Sequence, residues 1–302
     1  MRYLPLTILF ISLTFFSCKN SNKNITPEIK NLEKNILDKK QTGLIDELNN
    51  KYLSILQDTN VSANDKKIVT EHALDFFTKI NNSSISSYYL YELMKKYELS
   101  DHKERTKQFI KLIDENGNKE LSKTMKVLYA NKYPDDKKYL NTLGDDLKTQ
   151  KIDFDLYLKS LAEKMYINLG KTGVFDPMDG KNYINSCEVY ALINPESNLT
   201  PEYLYLGAQV AQNIKMFLKT IELYDWILAK YPGYEKYKTV LFMKGFIQDN
   251  ELKQFDEAKK TYQQFLQKFP DSELADDVKS ALELLGKSDA EILKILENKN
   301  KG

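Results

Sequence analysis

PEYLYLGAQVAQNIKMFLKTIELYDWILAKYP (residues 201–232) and KTVLFMKGFIQDNELKQFDEAKKTYQQFLQKFP (residues 238–270) are one plan written twice. Each carries apolar residues at helical spacing and closes on an aromatic-proline pair, Tyr231-Pro232 or Phe269-Pro270. Asn194-Pro195 opens the series, so the prolines at 195, 232 and 270 recur with a period of 37 to 38 residues. A small residue follows each of the first two prolines at the same interval, Ala208 and then Gly245. Recurrence on this scale marks stacked helix pairs: one pair cannot bury its apolar face alone, and its neighbours complete the core.

The surroundings agree. The chain has 302 residues, 42% hydrophobic and 29% charged, with 11 glycines and 8 prolines. That is the composition of a folded, mainly helical protein. Lys and Arg number 44 against 43 Asp and Glu, a net charge of +1, so nothing draws the chain as a whole to nucleic acid or to an anionic membrane.

Helix signals run from residue 26 to 133. Thr26-Pro27-Glu28 reads as an N-cap with proline at the first helical position, and Ile29, Leu32, Ile36 and Leu37 form a stripe behind it. Ser62 caps a further helix, with Asp65 in its first turn. Tyr133-Pro134 resembles the later aromatic-proline junctions but lies out of phase with them. The chain therefore divides into an N-terminal helical region, 26–134, of degenerate or different pairs, and a repeat region with terminal capping helices, 135–302. Residues 170–181 (GKTGVFDPMDGK) make the clearest break between helices. Ser288-Asp289-Ala290-Glu291 is a capping box before a last helix.

Chemical motifs are weak. Gly170-Lys171-Thr172 has the ending of a phosphate-binding loop, but Met165 stands where the motif needs its first glycine. Asp114–Glu120 has the look of a calcium loop, but Leu112 falls at the first ligand position. The two histidines, His72 and His102, are far apart and read as helix-surface residues, and no nucleophile elbow is present. Cys187 reads as a small apolar helix residue. No catalytic residue, metal site or small-molecule cofactor is expected, and the chain reads as a non-enzyme.

The first eighteen residues resemble a bacterial lipoprotein signal. Arg2 precedes the apolar run YLPLTILFISLTFF at 3–16, too short to span a bilayer as a stop-transfer helix, and Ser17-Cys18 follows. The match implies cleavage after a signal peptide at 1–17, lipidation of Cys18 and a polar tether at 18–25. Phe15 departs from the usual aliphatic residue at the first position of that motif. With Cys18 lipidated, Cys187 has no partner for an internal disulfide.

The two quoted segments resemble tetratricopeptide repeats. Ala208 and Gly245 match the small position of helix A. Thr220 and Ala258 match the small position of helix B, with Tyr224, Tyr262, Ile227 and Phe265 as its large residues. Gln248 departs from the pattern by replacing an aromatic, and the period exceeds the family's usual one. The resemblance implies an all-α, helix-turn-helix repeat solenoid whose A helices line a groove. On that implied groove lie Tyr205, Gln209 and Gln212 from one repeat, and Phe242, Phe246 and Asp249 from the next. Taken with the signal, the resemblance implies a scaffold anchored to the membrane through Cys18 in the bacterial cell envelope, on the outer membrane facing the periplasm. It would bind an envelope protein or peptide, in the manner of the repeat lipoproteins of outer-membrane assembly and of the Tol–Pal system. A surface module for peptides or glycans, or an envelope enzyme with its site in the N-terminal half, are the alternatives.

Overall fold

The computed structural model describes residues 23–143, 153–288, 290, 291 and 293, and among these the chain is helical with no strand. Cys18 and the signal segment lie outside the described residues, as does most of the last capping helix. No helix among the described residues is long and apolar enough to cross a membrane. The chain divides into two compact units between Leu93 and Met94.

The first unit holds α1 (Pro27–Lys39), α2 (Ile45–Gln57), α3 (Ala63–Lys79) and most of α4 (Ser83–Lys96). The expected caps form: the Ile29 N–H donates to Thr26 Oγ1 at 3.3 Å, and the Asp65 N–H to Ser62 Oγ at 3.1 Å. Each satisfies one of the donors that a helix start leaves without an intrahelical partner. The stripes close on a core of Ile29, Leu32, Leu48, Val69, Ala73 and Leu90, centred on the rings of Tyr52, Phe77 and Tyr89. Phe77 and Tyr89 stack with centroids 5.7 Å apart, and the buried Tyr89 hydroxyl donates to Asn49 at 2.8 Å.

The second unit continues with α5 (His102–Glu115), α6 (Lys119–Lys132), the short α7 (Lys137–Leu140), α8 (Phe154–Thr172) and α9 (Pro177–Ile193). Then come α10 (Thr200–Asn213), α11 (Phe217–Lys230), α12 (Tyr237–Asn250), α13 (Phe255–Lys268) and α14 (Ala275–Leu284). From α8 onward each helix packs on the next, and α9 also packs on α6. The glycine-rich break is narrower than its composition implies. α8 runs through Gly170 and Lys171, stops at Gly173 (φ +73°), and Asp176 caps α9 within four residues. Gly173 takes the left-handed C-terminal position that glycine fills without strain.

The pairs α10–α11 and α12–α13 are the two quoted segments folded. Phe217 and Phe255 are the first residues of the second helix in each pair. Ala208, Thr220 and Ala258 are completely buried. At Gly245 the reason for a small residue is explicit: a Cβ there would stand 2.6 Å from Cε1 of Tyr262 in the paired helix. Tyr262 and Phe265 centre a cluster with Tyr237, Leu241, Ala258 and Val278.

Candidate functional site

Phe242 and Phe246 lie one turn apart on α12, so the helix period alone puts them on one face. Their centroids are 6.5 Å apart. Phe242 is half-buried and its ring also meets Tyr262 and Phe265 of α13, which ties it to the core cluster. Phe246 is 37% exposed and is the large apolar side chain that α12 offers to solvent. Asp249 is half-buried below it, and burial pushes its carboxyl above the usual range, with Lys253 opposing. Gln248 sits on the other side of α12. The departure from the repeat pattern at this position is satisfied internally: Thr261 donates its hydroxyl to Gln248 Oε1 at 2.7 Å, both residues being buried.

Tyr205 belongs to α10 and does not touch this aromatic pair. It lies against Tyr224, with centroids 6.4 Å apart, and against Tyr234 in the turn before α12. The Lys236 ammonium covers its ring at 5.0 Å. The same ammonium reaches Glu202 at 2.7 Å, and the Tyr234 hydroxyl donates to that carboxylate. Burial works against ionising Glu202, but Lys236 and Tyr234 outweigh it and hold the carboxyl below its usual range. Glu202 and Tyr205 are thus a clamp that fastens α10 to the turn of the following repeat. Gln209 is exposed and Gln212 half-buried on the same helix.

Of the two histidines, His72 keeps a partly exposed side chain on its helix, whereas His102 is drawn into a contact between helices. His102 is half-buried: its Nε2 bonds to the Leu192 carbonyl at 2.8 Å and its Nδ1 lies 3.2 Å from the Tyr133 hydroxyl. Burial holds its pKa below the usual value, and Lys132 adds to the effect. His72 is paired with Glu33 at 2.6 Å. Both join residues distant in the chain, which helical spacing cannot register. Cys187 has no exposed surface, and burial pushes its thiol well up. Among the described residues no cluster of His, Cys, Asp or Glu is arranged to hold a metal.

His102 also borders a cleft of about 540 Å³ walled by the ends of α4, α6, α9 and α11. Tyr97, Tyr133, Trp226 and Tyr231 supply its aromatic surface. Its lysines are engaged: Lys95 with Glu222 and over Trp226, Lys132 with Glu196 and the Ile193 carbonyl, Lys230 with the Lys96 carbonyl. Cations are suited to this place, because helix C-termini present carbonyls and partial negative charge. The sequence signal was the likeness of Tyr133-Pro134 to Tyr231-Pro232. These junctions, with Pro195, line one cleft although the first is out of phase.

Residues 239–272, which span α12, α13 and the turn after them, match the tetratricopeptide repeat family. No curated protein and no solved structure matches the chain. By this match and the succession of helix pairs, the described residues form an all-helical, tetratricopeptide-like repeat array.

Proposed function

We propose that the chain is a non-catalytic envelope scaffold, anchored to the membrane through a lipidated Cys18, that holds a partner protein or peptide on the exposed face of its repeat helices. Tetratricopeptide repeats generally mediate protein–protein interaction, and the match at 239–272 brings this role to α12 and α13. The observation that carries the site is Phe246: a large apolar side chain, 37% exposed, on the first helix of the matched repeat and beside Phe242. An aromatic flanked by polar residues is the usual anchor of a peptide or helix laid into a groove. Asp249 on α12 and Gln209 and Gln212 on α10 offer hydrogen-bonding groups, while Tyr205 is taken up by its contacts with Tyr224, Tyr234 and Lys236. The N-terminal signal supports a location on the outer membrane facing the periplasm.

Crosslinking in cells followed by envelope pull-down tests this. Phe246→Ala removes partner capture and costs less stability than Phe242→Ala, because Phe246 is the more exposed of the two rings. Phe242→Ala lowers stability by about 2 kcal/mol, since its half-buried ring packs on Tyr262 and Phe265. Capture unchanged in Phe246→Ala would move the site away from α12. The aromatic cleft of Tyr97, Tyr133, Trp226 and Tyr231 favours a second reading, a module for peptides or glycans with rings stacking on sugars. Binding of soluble glycans that is lost in Tyr231→Ala would support it over the first.

A further inference from the structure

The lysines of the second unit fall into two classes. Those at the turns that join one helix pair to the next are engaged: Lys132, Lys230, Lys236 and Lys268 each meet a carboxylate, a carbonyl or a tyrosine. At the turns within the pairs α8–α9 and α10–α11, Lys164 and Lys219 are paired with Asp179, Glu188 and Glu222, but three other lysines are not. Lys171, Lys181 and Lys215 are exposed, and none of their ammonium groups makes a hydrogen bond or ion pair among the described residues. Lys215 holds φ +60°, a conformation that glycine or asparagine adopts more readily than lysine.

Exposed apolar side chains gather at the same two turns. Tyr166 is 61% exposed, Ile167 55%, Val174 68% and Met178 61%, all within the tip of the α8–α9 hairpin. The Tyr166 ring meets Phe175 across that tip at 6.0 Å. Leu218, at the start of α11, is 69% exposed. The two turns are neighbours, because a Cβ on Gly180 of α9 would stand 2.9 Å from the Ile214 side chain at the end of α10. The exposed carboxylates here are Glu163 and Asp176, while Asp179 is occupied by Lys164 at 2.6 Å and by Asn168. The segment from Gly207 to Ile221 contains no acidic residue. Cations therefore outnumber anions where the apolar side chains emerge.

The geometry points to a membrane-docking edge: the α8–α9 and α10–α11 turns seat on an anionic phospholipid surface. Soluble proteins bury or disperse such side chains, and a clustered patch marks an interaction site. A bilayer interface satisfies every part of this one. Tyrosine suits the headgroup level, the aliphatic side chains enter the acyl boundary, and lysine ammonium groups without partners meet lipid phosphates. A protein partner would find few directional groups on it. The edge is distinct from the α12 face and needs no acyl chain on Cys18.

Full-length chain carrying Cys18→Ser is compared on phosphatidylcholine vesicles with and without phosphatidylglycerol. A nitroxide is placed at Met178→Cys or, as control, at the exposed Asn198→Cys; Cys187 is buried and does not label. The chain prefers anionic vesicles by roughly fivefold, the weight of three lysines offset by the exposed Glu163 and Asp176 at a charged surface. The label at 178 leaves water on binding and the label at 198 does not. Lys171→Glu/Lys181→Glu/Lys215→Glu abolishes the preference. Ile167→Ser/Val174→Ser keeps the lysines and weakens insertion, a second test should the charge reversals perturb folding. The inference is overturned if the label at 178 stays as wet as that at 198 on bound protein, or if the triple variant keeps its preference. It is overturned equally if the label is covered without vesicles as protein concentration rises, which assigns the patch to a second copy. Because every arm lacks the Cys18 thiol, failure here leaves the lipid-anchor reading standing.

Discussion

Gly245 shows how much one side chain decides. Its Cα faces Tyr262, and a Cβ would enter the ring at 2.6 Å from Cε1 and 2.7 Å from Cδ1. Tyr262 cannot retreat easily, because it is fully buried and central to the cluster with Phe265 and Leu241. Alanine at 245 gains helix propensity of roughly 1 kcal/mol, which offsets part of the crowding. Leucine gains no more propensity than alanine and adds bulk. Gly245→Leu is therefore expected to lower stability by about 1–3 kcal/mol, read from denaturant midpoints. An unchanged midpoint would mean that α12 and α13 are not packed in this register. Gln248 makes the complementary point. A buried amide would be costly alone, but Thr261 satisfies it, and the departure from the repeat pattern brings its own partner.

At the scale of the element, helix ends carry more than helix middles. The C-terminal ends of α4, α6, α9 and α11 line one cleft, where Lys132 and His102 donate to carbonyls at the end of α9 and Lys230 to the Lys96 carbonyl at the end of α4. The bond to Leu192 occupies Nε2 as the N–H, so Nδ1 takes the acceptor role towards Tyr133. This is the neutral imidazole. Burial holds the folded-state pKa of His102 below its unfolded value near 6.5. The unfolded chain then binds the proton more readily, so this contribution is complete above about pH 6.5 and is lost as pH falls through the folded-state pKa. Urea unfolding at pH 7.5 and at pH 5.5 is expected to show a smaller loss for His102→Gln than for the parent chain. Equal losses would show that the histidine is not the group responsible.

For the whole molecule, the repeats and the N-terminus answer different questions. Tetratricopeptide-like pairs determine the type of surface presented. In the proposed function, residues 1–18 set where it is presented. Several acyl chains on one residue would hold the protein firmly, at roughly 0.8 kcal/mol per buried methylene. Cys18→Ala is expected to move the protein from the detergent phase to the aqueous phase in phase partition. Parent chain that already partitions into the aqueous phase would refute the anchor. The division between Leu93 and Met94 adds that the N-terminal helices have their own core, built on Tyr52, Phe77 and Tyr89.

What the sequence determined by itself is everything local or periodic. Thr26 and Ser62 are legible as caps, because a cap bonds within three residues. The prolines at 195, 232 and 270 and the small residues at 208 and 245 are legible as a helix-pair period, because stacking identical units repeats the same steric demand. Phe242 and Phe246 are legible as one face, because they are four residues apart. Only the tertiary structure decided that Phe242 leans into the core while Phe246 does not, that Tyr205 lies under Lys236, and that His102 is held by Leu192. It alone separates the engaged lysines from Lys171, Lys181 and Lys215, which sequence cannot tell apart. Each of these depends on which helices come to lie side by side. That choice is made by packing across 13 to 90 residues of chain, a separation at which spacing carries no information about contact.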